Sequence, residues 1–360
     1  MTRVIFAGGG TAGHVEPALA VARAWQKAHP DSEIGFLGTH SGLEATLIPA
    51  AGFQISYIPK VAVPRRISPK LLVLPYSLIK SIRESMKALS GSDLVVGFGG
   101  YVSAPAYLAA ALLRIPFVIH EANARPGIAN RLGALLTPYC AVSHHITSGT
   151  LKKSRLTGLP LKENIVQSFF SAQKDWNSAR AQAKRSLGFS DSSPLIFIFG
   201  GSQGSEAINR VIAQVQGSLT QRGINILHGV GAHNVTPQSS ERYKALNYIS
   251  DMATAYLAAD LVISRSGAVT CAEVNSLGRY ALFIPLPIGN GEQQLNASSL
   301  IAQGRAETLS QPNFNQNWLL ENIERLLLKS SEAPVSGSPL DIEAAAKIVE
   351  IMHTALSGGR

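Results

Sequence analysis

Short apolar segments alternate with longer segments of helical periodicity along all 360 residues of the chain. The apolar segments read RVIFAG, EIGFLG, LVVGFGG and PFVIHE in the first half, and LIFIFGG, INILHGV, LVISRSG and ALFIPL in the second. Such alternation predicts parallel sheets joined by crossover helices, and the second half restarts the pattern with its own strand, glycine turn and helix. We therefore predict an α/β protein with two doubly wound, Rossmann-like domains.

The predicted domains divide the chain near the segment TGLPLK. A hydrophobic content of 46% is enough for two cores at this length. We assign residues 1–161 to the first domain and 162–340 to the second, and we expect a last helix over about 341–360 to pack back on the first domain. Ligands bind at the carboxyl ends of strands in open parallel sheets, so two such domains facing each other form one central cleft.

The first glycine turn, GGGTAGH, matches G-x-G-x-x-G at Gly8, Gly10 and Gly13, between a predicted strand and a predicted helix. Glycines there let the backbone approach a phosphate at the helix N-terminus. A nicotinamide-dependent oxidoreductase needs an acidic residue at the end of the second strand, which here ends in glycine and threonine. The helix dipole disfavours protonation of His14, which follows the last glycine. We expect either a neutral imidazole that accepts a proton from a ligand or a polar helix residue without chemical function.

Polar side chains also stand at the ends of other predicted strands, where a ligand would bind. Those of the first half are Tyr101, His120, Glu121, Asn123 and Arg125. Those of the second half are Arg265, Ser266, Glu273, Gln293, Gln294 and Asn296. Amides suit the hydroxyls of a sugar, and a carboxylate such as Glu273 can accept two hydrogen bonds from a ribose diol. On the surface of its predicted helix, Glu273 would instead be a solvated charge.

The net charge of +9 lies entirely in the first half of the chain, where 16 lysines and arginines stand against seven acidic residues. Seven of these basic residues are Lys60, Arg65, Arg66, Lys70, Lys80, Arg83 and Lys87. Beside them, a stripe of apolar residues recurs at helical spacing and comprises Leu71, Leu78, Ile82, Met86 and Leu89. This pattern predicts an anionic membrane surface as partner, unless the stripe packs into the core. No nucleic-acid motif accompanies the charge, so we expect no nucleic-acid partner.

Other features narrow the class of protein further. No basic segment followed by an apolar one opens the chain, and no apolar stretch of 18 residues occurs, so we expect neither a secretion signal nor a spanning helix. Cys140 and Cys271 lack paired spacing, which excludes a cysteine zinc site and predicts two buried free thiols. Because no D-x-D pair is available to hold a divalent ion, we predict no metal and no other cofactor.

Six segments together resemble the MurG family, the UDP-N-acetylglucosamine:undecaprenyl-diphospho-muramoylpentapeptide N-acetylglucosaminyltransferases. In that family's order they read GGGTAGHVEPALAVA, GFGGYVSAP, IHEANARPGIANR, FGGSQGSEAIN, SDMATAYLAADLVISRSGAVTCAEV and EQQLNA. The resemblance implies a GT-B fold and an inverting transfer of GlcNAc from UDP-GlcNAc to the 4-hydroxyl of the MurNAc of lipid I. The products are lipid II and UDP in peptidoglycan synthesis, and the enzyme is expected to lie peripherally on the cytoplasmic face of the membrane.

The resemblance also implies roles for individual residues. Glu273 is expected to take the ribose hydroxyls, and the backbone around Ile249 the uracil. The full donor-binding set is Thr11, Gly13, Asn123, Lys162, Ser202, Ile249, Arg265, Ala268, Val269, Thr270, Glu273, Gln293 and Gln294. The catalytic set is His14, Tyr101, His120 and Glu121, and the loops that meet the acceptor diphosphate contain Gly9, Gly10, Gly99 and Gly100. The resemblance leaves open which of His14, Glu121 and His120 is the base.

Some assignments and alternatives depend on chemistry rather than on the resemblance. Arg265 is our choice for stabilising the charge that develops on departing UDP. Lys162 stands where the family usually carries an arginine and cannot make the bidentate phosphate contact of a guanidinium. A UDP-GlcNAc 2-epimerase would share the fold and the donor without needing the basic segment, and a glycosyltransferase for a soluble acceptor is the nearest rival.

Overall fold

The computed structural model describes residues 1–61, 70–232, 234–287 and 291–358, with the side chains of residues 70–74 left aside. The chain forms two compact units. Unit 1 comprises Met1–Lys162 and Leu340–Arg360, and unit 2 comprises Glu163–Pro339. The predicted α/β class with two doubly wound, Rossmann-like domains is confirmed, because each unit contains its own parallel sheet.

Unit 1 contains a seven-stranded sheet in the order β3-β2-β1-β4-β5-β6-β7, with parallel pairing throughout its described strands. The strands are β1 (Arg3–Ala7), β2 (Glu33–Gly38), β3 (Gln54–Tyr57), β4 (Leu94–Gly97), β5 (Phe117–Glu121), β6 (Cys140–Val142) and β7 (Arg155–Leu156). The helices are α1 (Ala12–Ala28), α2 (Glu44–Ala50), α3 (Lys70–Leu89), α4 (Ser103–Leu113), α5 (Ile128–Gly133) and, from the end of the chain, α14 (Ala344–Gly358).

Unit 2 contains a six-stranded sheet in the order β10-β9-β8-β11-β12-β13, again parallel. The strands are β8 (Leu195–Phe199), β9 (Asn225–Gly229), β10 (Tyr243–Leu246), β11 (Leu261–Ser264), β12 (Tyr280–Phe283) and β13 (Ala306–Thr308). The helices are α6 (Glu163–Ala172), α7 (Trp176–Ser186), α8 (Glu206–Gln221), α9 (Met252–Ala258), α10 (Ala268–Ser276), α11 (Glu292–Asn296), α12 (Ser298–Ala302) and α13 (Gln316–Glu332).

Both faces of the unit 1 sheet are buried, as the alternation along β1 illustrates. Val4 and Phe6 belong to a core cluster that α1 and α14 complete, whereas Ile5 and Ala7 belong to a second cluster on the opposite face. Successive side chains of a strand point to opposite faces, so a strand with helices on both sides is apolar throughout. This explains why the strands of this chain read as continuous apolar runs.

Three residues of the apolar stripe of α3, Ile82, Met86 and Leu89, face the protein interior, which is the core-packing alternative that the sequence left open. Leu89 is fully buried, and Ile82 and Met86 pack against the core cluster that contains it. Tyr76 and Ile79 are instead the exposed apolar residues of α3, at 70% and 51% exposure. Helical periodicity alone did not distinguish these cases, because a core-facing stripe and a membrane-facing one have the same spacing.

The segment before α14 is held by a buried carboxyl group. Asp341 Oδ1 accepts a hydrogen bond from the backbone N–H of Leu159 at 2.7 Å, just after β7. Burial raises the pKa of Asp341 to about 6, although the Leu159 bond and the charge of Lys347 oppose the shift. The folded chain therefore binds this proton more tightly than the unfolded chain, so the stability contributed by Asp341 falls as pH rises from about 4 to about 6.

We expect Asp341→Asn to raise the free energy of unfolding at pH 7.5 by roughly 1–3 kcal/mol, because asparagine keeps the acceptor without the cost of a buried charge. Urea unfolding at pH 7.5 and pH 4.5 measures this effect. The gain should shrink at pH 4.5, where Asp341 is mostly protonated. A gain of equal size at both pH values would contradict the electrostatic cause.

Candidate functional site

Two glycine loops of unit 1 touch each other at the carboxyl ends of β1 and β4. Gly99 and Gly100 have φ values of +89° and +83°, which side chains rarely adopt. A Cβ atom on Gly100 would lie 2.2 Å from the carbonyl oxygen of Gly9. Only glycine therefore allows this approach of the two backbones, and the loop of Gly9 and Gly10 is fixed against the turn of Gly99 and Gly100.

His14 lies in the first turn of α1, against both loops. Its Nδ1 atom is 3.1 Å from Thr11 Oγ1, and a Cβ on Gly99 would lie 3.3 Å from its Nε2 atom. Burial lowers the pKa of His14, and the charges of Glu121 and Glu44 and a hydrogen bond to the Gly9 backbone offset only part of this effect. The imidazole is therefore neutral at pH 7 and can accept a proton.

Glu121 organises the loop that follows β5. It is the last residue of β5, at the strand end where the sequence predicted it. Its Oε1 atom accepts hydrogen bonds from the backbone and side chain of Asn123, and its Oε2 atom accepts from Gly127 N and Asn130 Nδ2. Both carboxylate oxygens of this buried side chain are thus engaged within the protein.

His120 is also part of β5 and is fully buried. Its Nε2 atom is 3.1 Å from the carbonyl oxygen of Gly158 and 3.2 Å from Ser143 Oγ, whereas Nδ1 has no hydrogen-bond partner among the described residues. Burial lowers the pKa of His120 to about 4, with the Gly158 bond opposing and His144 adding to the shift. A carbonyl oxygen only accepts hydrogen bonds, so the neutral ring carries its proton on Nε2. His120 thereby connects β5 to the backbone at Gly158, just after β7.

The remaining unit 1 candidates are more accessible. Tyr101 is 43% exposed, and Lys60 Nζ stands 4.6 Å from its ring centroid. Thr11 is exposed beside His14, and the neighbouring Gly13 is partly buried. Lys162 Nζ forms an ion pair with Glu16 Oε1 at 2.9 Å, so its charge is partly neutralised within the protein.

Unit 2 has a cavity of about 590 Å³ at the carboxyl ends of its central strands. Its lining includes Gly200, Gly201, Ser205, Arg265, Gly267, Thr270, Gln293 and Gln311. The N-termini of α8 and α10 both border it, and the N-cap of α10, Gly267, provides no side-chain cap. Backbone N–H groups and helix dipoles at such ends favour an anion, so the cavity suits a phosphate or diphosphate.

Arg265 borders this cavity while tethering three loops. Its guanidinium donates to the carbonyl oxygen of Ile284 at 2.9 Å, to Ser205 Oγ at 2.8 Å and to Gln311 Oε1 at 2.7 Å. The charge is therefore fixed at the cavity edge, but much of its hydrogen-bonding capacity is already used. The sequence analysis identified the charge and missed this structural role.

Glu273 is buried on α10, with 5% exposure, which excludes the alternative of a solvated helix-surface charge. Tyr256 Oη donates to its Oε2 atom at 2.9 Å, so the carboxylate is held in one orientation. Near it in sequence, Ala268 is buried, and Val269 and Thr270 are partly buried in the first turn of α10. At the start of this helix, Gly267 and Thr270 line the unit 2 cavity.

The other donor-side candidates lie in several loops of unit 2. Gln293 Oε1 accepts from Leu286 N at 2.9 Å, and Gln294 is exposed on α11. Ile249 is buried after β10, and Ser202 lies in the turn between β8 and α8. Within the described residues, no group of three or more His, Cys, Asp or Glu side chains is placed to hold a metal ion.

Sequence reasoning missed Glu44, a fully buried carboxylate at the start of α2. It accepts hydrogen bonds from Gly10 N at 2.8 Å, from Thr39 N at 3.0 Å and from Thr39 Oγ1 at 2.8 Å. The glycine loop therefore uses at least one of its N–H groups within the protein. Nothing in the local sequence signals this contact, because 34 residues separate Gly10 from Glu44.

The exposed α3 face consists of Tyr76, Ile79, Lys80, Arg83 and Lys87, which share one side of the helix by their three- and four-residue spacing. Arg65 and Arg66 lie outside the residues that the structure describes, and so does the side chain of Lys70. Across the described chain, the helices are all too short or too polar to cross a membrane.

Two doubly wound units with glycine turns at the carboxyl ends of their strands define the GT-B class of glycosyltransferase-like folds. The chain matches the N-terminal domain of glycosyltransferase family 28 over residues 4–137 and its C-terminal domain over residues 195–350. It is 42% identical over 332 residues to the UDP-N-acetylglucosamine--N-acetylmuramyl-(pentapeptide) pyrophosphoryl-undecaprenol N-acetylglucosamine transferase of Thermobifida fusca, which covers 90% of this chain and 86% of the relative. The chain therefore belongs to family 28 and, within it, to the transferases of that name.

Solved structures agree with this membership. The crystal structure of Acinetobacter baumannii MurG superposes with a TM-score of 0.71 at 28% identity, over 98% of this chain and all of that one. The UDP-GlcNAc 2-epimerase of Neisseria meningitidis, at a TM-score of 0.60 and 17% identity over 98% of this chain and 100% of that one, shares the fold alone. The predicted resemblance to MurG is confirmed, and the chain is a glycosyltransferase.

Proposed function

We propose that this protein transfers GlcNAc from UDP-GlcNAc to the 4-hydroxyl of the MurNAc of lipid I, with inversion at the anomeric carbon. The bond from that carbon to the acceptor oxygen forms as the bond to the UDP oxygen breaks, giving lipid II and UDP. The observation that carries the proposal is the neutral imidazole of His14, held against two glycine loops in a chain of this family.

The donor binds to unit 2 in this proposal. Its diphosphate occupies the cavity at the N-termini of α8 and α10, where dipoles and N–H groups stabilise negative charge. Glu273 accepts hydrogen bonds from the ribose hydroxyls, and the backbone around Ile249 contacts the uracil. Gln293 and Gln294 orient the GlcNAc. Arg265 adds fixed positive charge for the departing UDP, as preorganised groups do when charge develops in a transition state.

The acceptor binds to unit 1, where His14 removes the proton from the attacking hydroxyl. Of the three candidate bases, His14 is favoured by its contacts, because both oxygens of Glu121 are already hydrogen-bonded and His120 is fully buried. Tyr101 and the exposed Thr11 are free to contact the acceptor beside His14. We propose no metal in the reaction, and activity is expected to persist in excess EDTA.

The reaction is tested with radiolabelled UDP-GlcNAc and lipid I or a short-chain analogue. Labelled lipid II should form, and UDP release should require the acceptor. Conversion of UDP-GlcNAc to its 2-epimer without acceptor would instead support an epimerase. Transfer to a water-soluble sugar with no need for the diphospholipid would support the glycosyltransferase for a soluble acceptor. Either of these outcomes, or a failure to form labelled lipid II, would overturn the proposed function.

We further propose that the exposed α3 face docks unit 1 on the anionic cytoplasmic surface of the membrane. Its three cations contribute about 1 kcal/mol each near such a surface, and Tyr76 and Ile79 add an apolar contribution that salt does not remove. We expect Lys80, Arg83 and Lys87 changed together to Gln to weaken co-sedimentation with anionic vesicles and to lower activity on membrane-embedded lipid I. Activity on a water-soluble acceptor analogue should be spared.

The matched control changes three exposed basic residues of unit 2, Lys174, Arg185 and Arg222, to Gln and should bind vesicles as the wild type does. Added salt should weaken wild-type binding without abolishing it. Equal binding of the wild type to neutral and anionic vesicles would contradict the docking role, and so would an equal loss of activity on both acceptors.

A further inference from the structure

The buried carboxylate of Glu44 connects the end of β2 to the glycine loop that precedes α1. Its Oε1 atom accepts from the N–H and hydroxyl groups of Thr39, and its Oε2 atom accepts from Gly10 N. The carboxylate is thus the connection between two loops that 34 residues of sequence separate.

One peptide unit lies between Glu44 and His14. The N–H of the Gly9–Gly10 peptide points to Glu44, and a trans peptide directs its carbonyl the opposite way. That carbonyl, on Gly9, abuts Gly100, and a Cβ atom on Gly100 would also lie 3.3 Å from the Nδ1 atom of His14. Any rotation of the peptide that breaks the Glu44 contact also moves the carbonyl relative to Gly100, which lies against the His14 ring.

The surroundings of the carboxylate leave it little freedom. A Cβ atom on Gly9 would lie 2.7 Å from Glu44 Oε1, and one on Gly42 would lie 1.9 Å from Oε2. A Cβ on Gly38 would approach Glu44 Cγ to 2.7 Å. The absence of side chains at three glycines therefore leaves the space that this side chain occupies. Such close surroundings indicate that the Glu44 side chain has a fixed position.

We propose that Glu44 is a positioning residue for the transfer reaction, because it orients the Gly9–Gly10 peptide, which packs against Gly100 beside the imidazole of His14. This inference rests on the proposed function of His14 as the base. Glu44 acts through the backbone and does not contact substrate. Because Gly10 N–H already donates to Glu44, the acceptor diphosphate must be bound by other groups of the loop, such as the exposed Thr11.

The charge of Glu44 gives the proposal a second readout. Burial opposes its ionisation, but hydrogen bonds from Gly10 and Thr39 hold its pKa below the ordinary value, so it is ionised at neutral pH. The charged groups that act on His14 are Glu44 from α2 and Glu121 from β5, and both favour the protonated ring against its burial. Removing the Glu44 charge should therefore lower the pKa of His14 further.

The test compares Glu44→Gln with the wild type in the lipid II assay. An amide cannot accept from both Gly10 and Thr39 as the carboxylate does, so we expect kcat to fall about tenfold to a hundredfold, with little change in KM for UDP-GlcNAc. The acid limb of the kcat/KM profile should move to lower pH. Glu33→Gln, an exposed carboxylate at the start of β2, is the charge-matched control and should change neither quantity.

Thr39→Val separates geometry from charge, because it removes one hydrogen bond to Glu44 and keeps the carboxylate. It should lower kcat less than Glu44→Gln and leave the acid limb in place. It also keeps the test open if Glu44→Gln does not fold. If folded Glu44→Gln keeps the wild-type kcat and the wild-type acid limb, the proposed role of Glu44 is wrong but the proposed function stands. If the wild-type protein forms no lipid II, the proposed function itself is wrong.

Discussion

Replacing His14 with alanine is expected to lower kcat by roughly 10²–10⁴-fold, while the affinity for UDP-GlcNAc changes little. The imidazole is the proton acceptor in the proposed reaction, and its neutral form is favoured by burial. The acid limb of the wild-type kcat/KM profile should accordingly lie below the ordinary histidine pKa of 6.5. Steady-state kinetics between pH 5 and pH 9, roughly the range where histidine changes charge, measure both quantities.

The control for this variant is His145→Ala, because His145 is an exposed histidine of the same unit. It should retain wild-type kcat and the wild-type profile. A loss of less than tenfold in folded His14→Ala would leave His14 a positioning role. Proton transfer would then have to involve Glu121, whose oxygens would need to exchange a present hydrogen bond for the acceptor hydroxyl.

Replacing Glu273 with glutamine should weaken UDP-GlcNAc binding by about 10- to 150-fold, because charge-assisted hydrogen bonds to the ribose contribute roughly 1.5–3 kcal/mol. The variant should fold, since an amide oxygen can still accept from Tyr256 Oη. Calorimetric titration with UDP-GlcNAc and with UDP measures the loss, which should be similar for both ligands because both carry the ribose.

Two further variants sharpen this measurement. Glu324→Gln removes an exposed carboxylate from α13 in the same unit and should leave affinity unchanged. Tyr256→Phe keeps the Glu273 charge and removes its orienting hydrogen bond, so it should weaken binding less than Glu273→Gln. Unchanged donor affinity in folded Glu273→Gln would remove this residue from the donor site.

The sequence predicted the central strands of both sheets, because strands buried on both faces are continuous apolar runs. It did not identify the short edge strands such as β3, β7 and β13, whose two to four residues include exposed or partly buried polar side chains. Each of them pairs with one neighbouring strand only, so it is not buried between two strands as the central ones are. The residues of an edge strand therefore give little indication of a strand, whereas the apolar runs of the central strands indicate one clearly.

The sequence predicted which turns form the candidate site, but it did not predict the hydrogen bonds between them. Glycine patterns located the loops around His14, and the burial of Cys140 and Cys271 outside any disulfide was also predicted. The tethering bonds of Arg265 and the hydrogen bonds of Glu121 could not be inferred, because they depend on which backbone groups the fold brings near. The functional roles of these residues stay predictions.

The C-terminal helix α14 contributes Ile348, Met352 and Ala355 to the same core cluster as Val4 and Val15. The first unit is therefore closed by residues that are synthesised after residues 163–339, which make up the whole of the second unit. During synthesis, the apolar surface of unit 1 that α14 covers, which includes residues of α1, remains exposed until α14 emerges. Vectorial folding in this chain thus completes the second unit before the first, and a stalled or shortened chain would expose the face beneath α14.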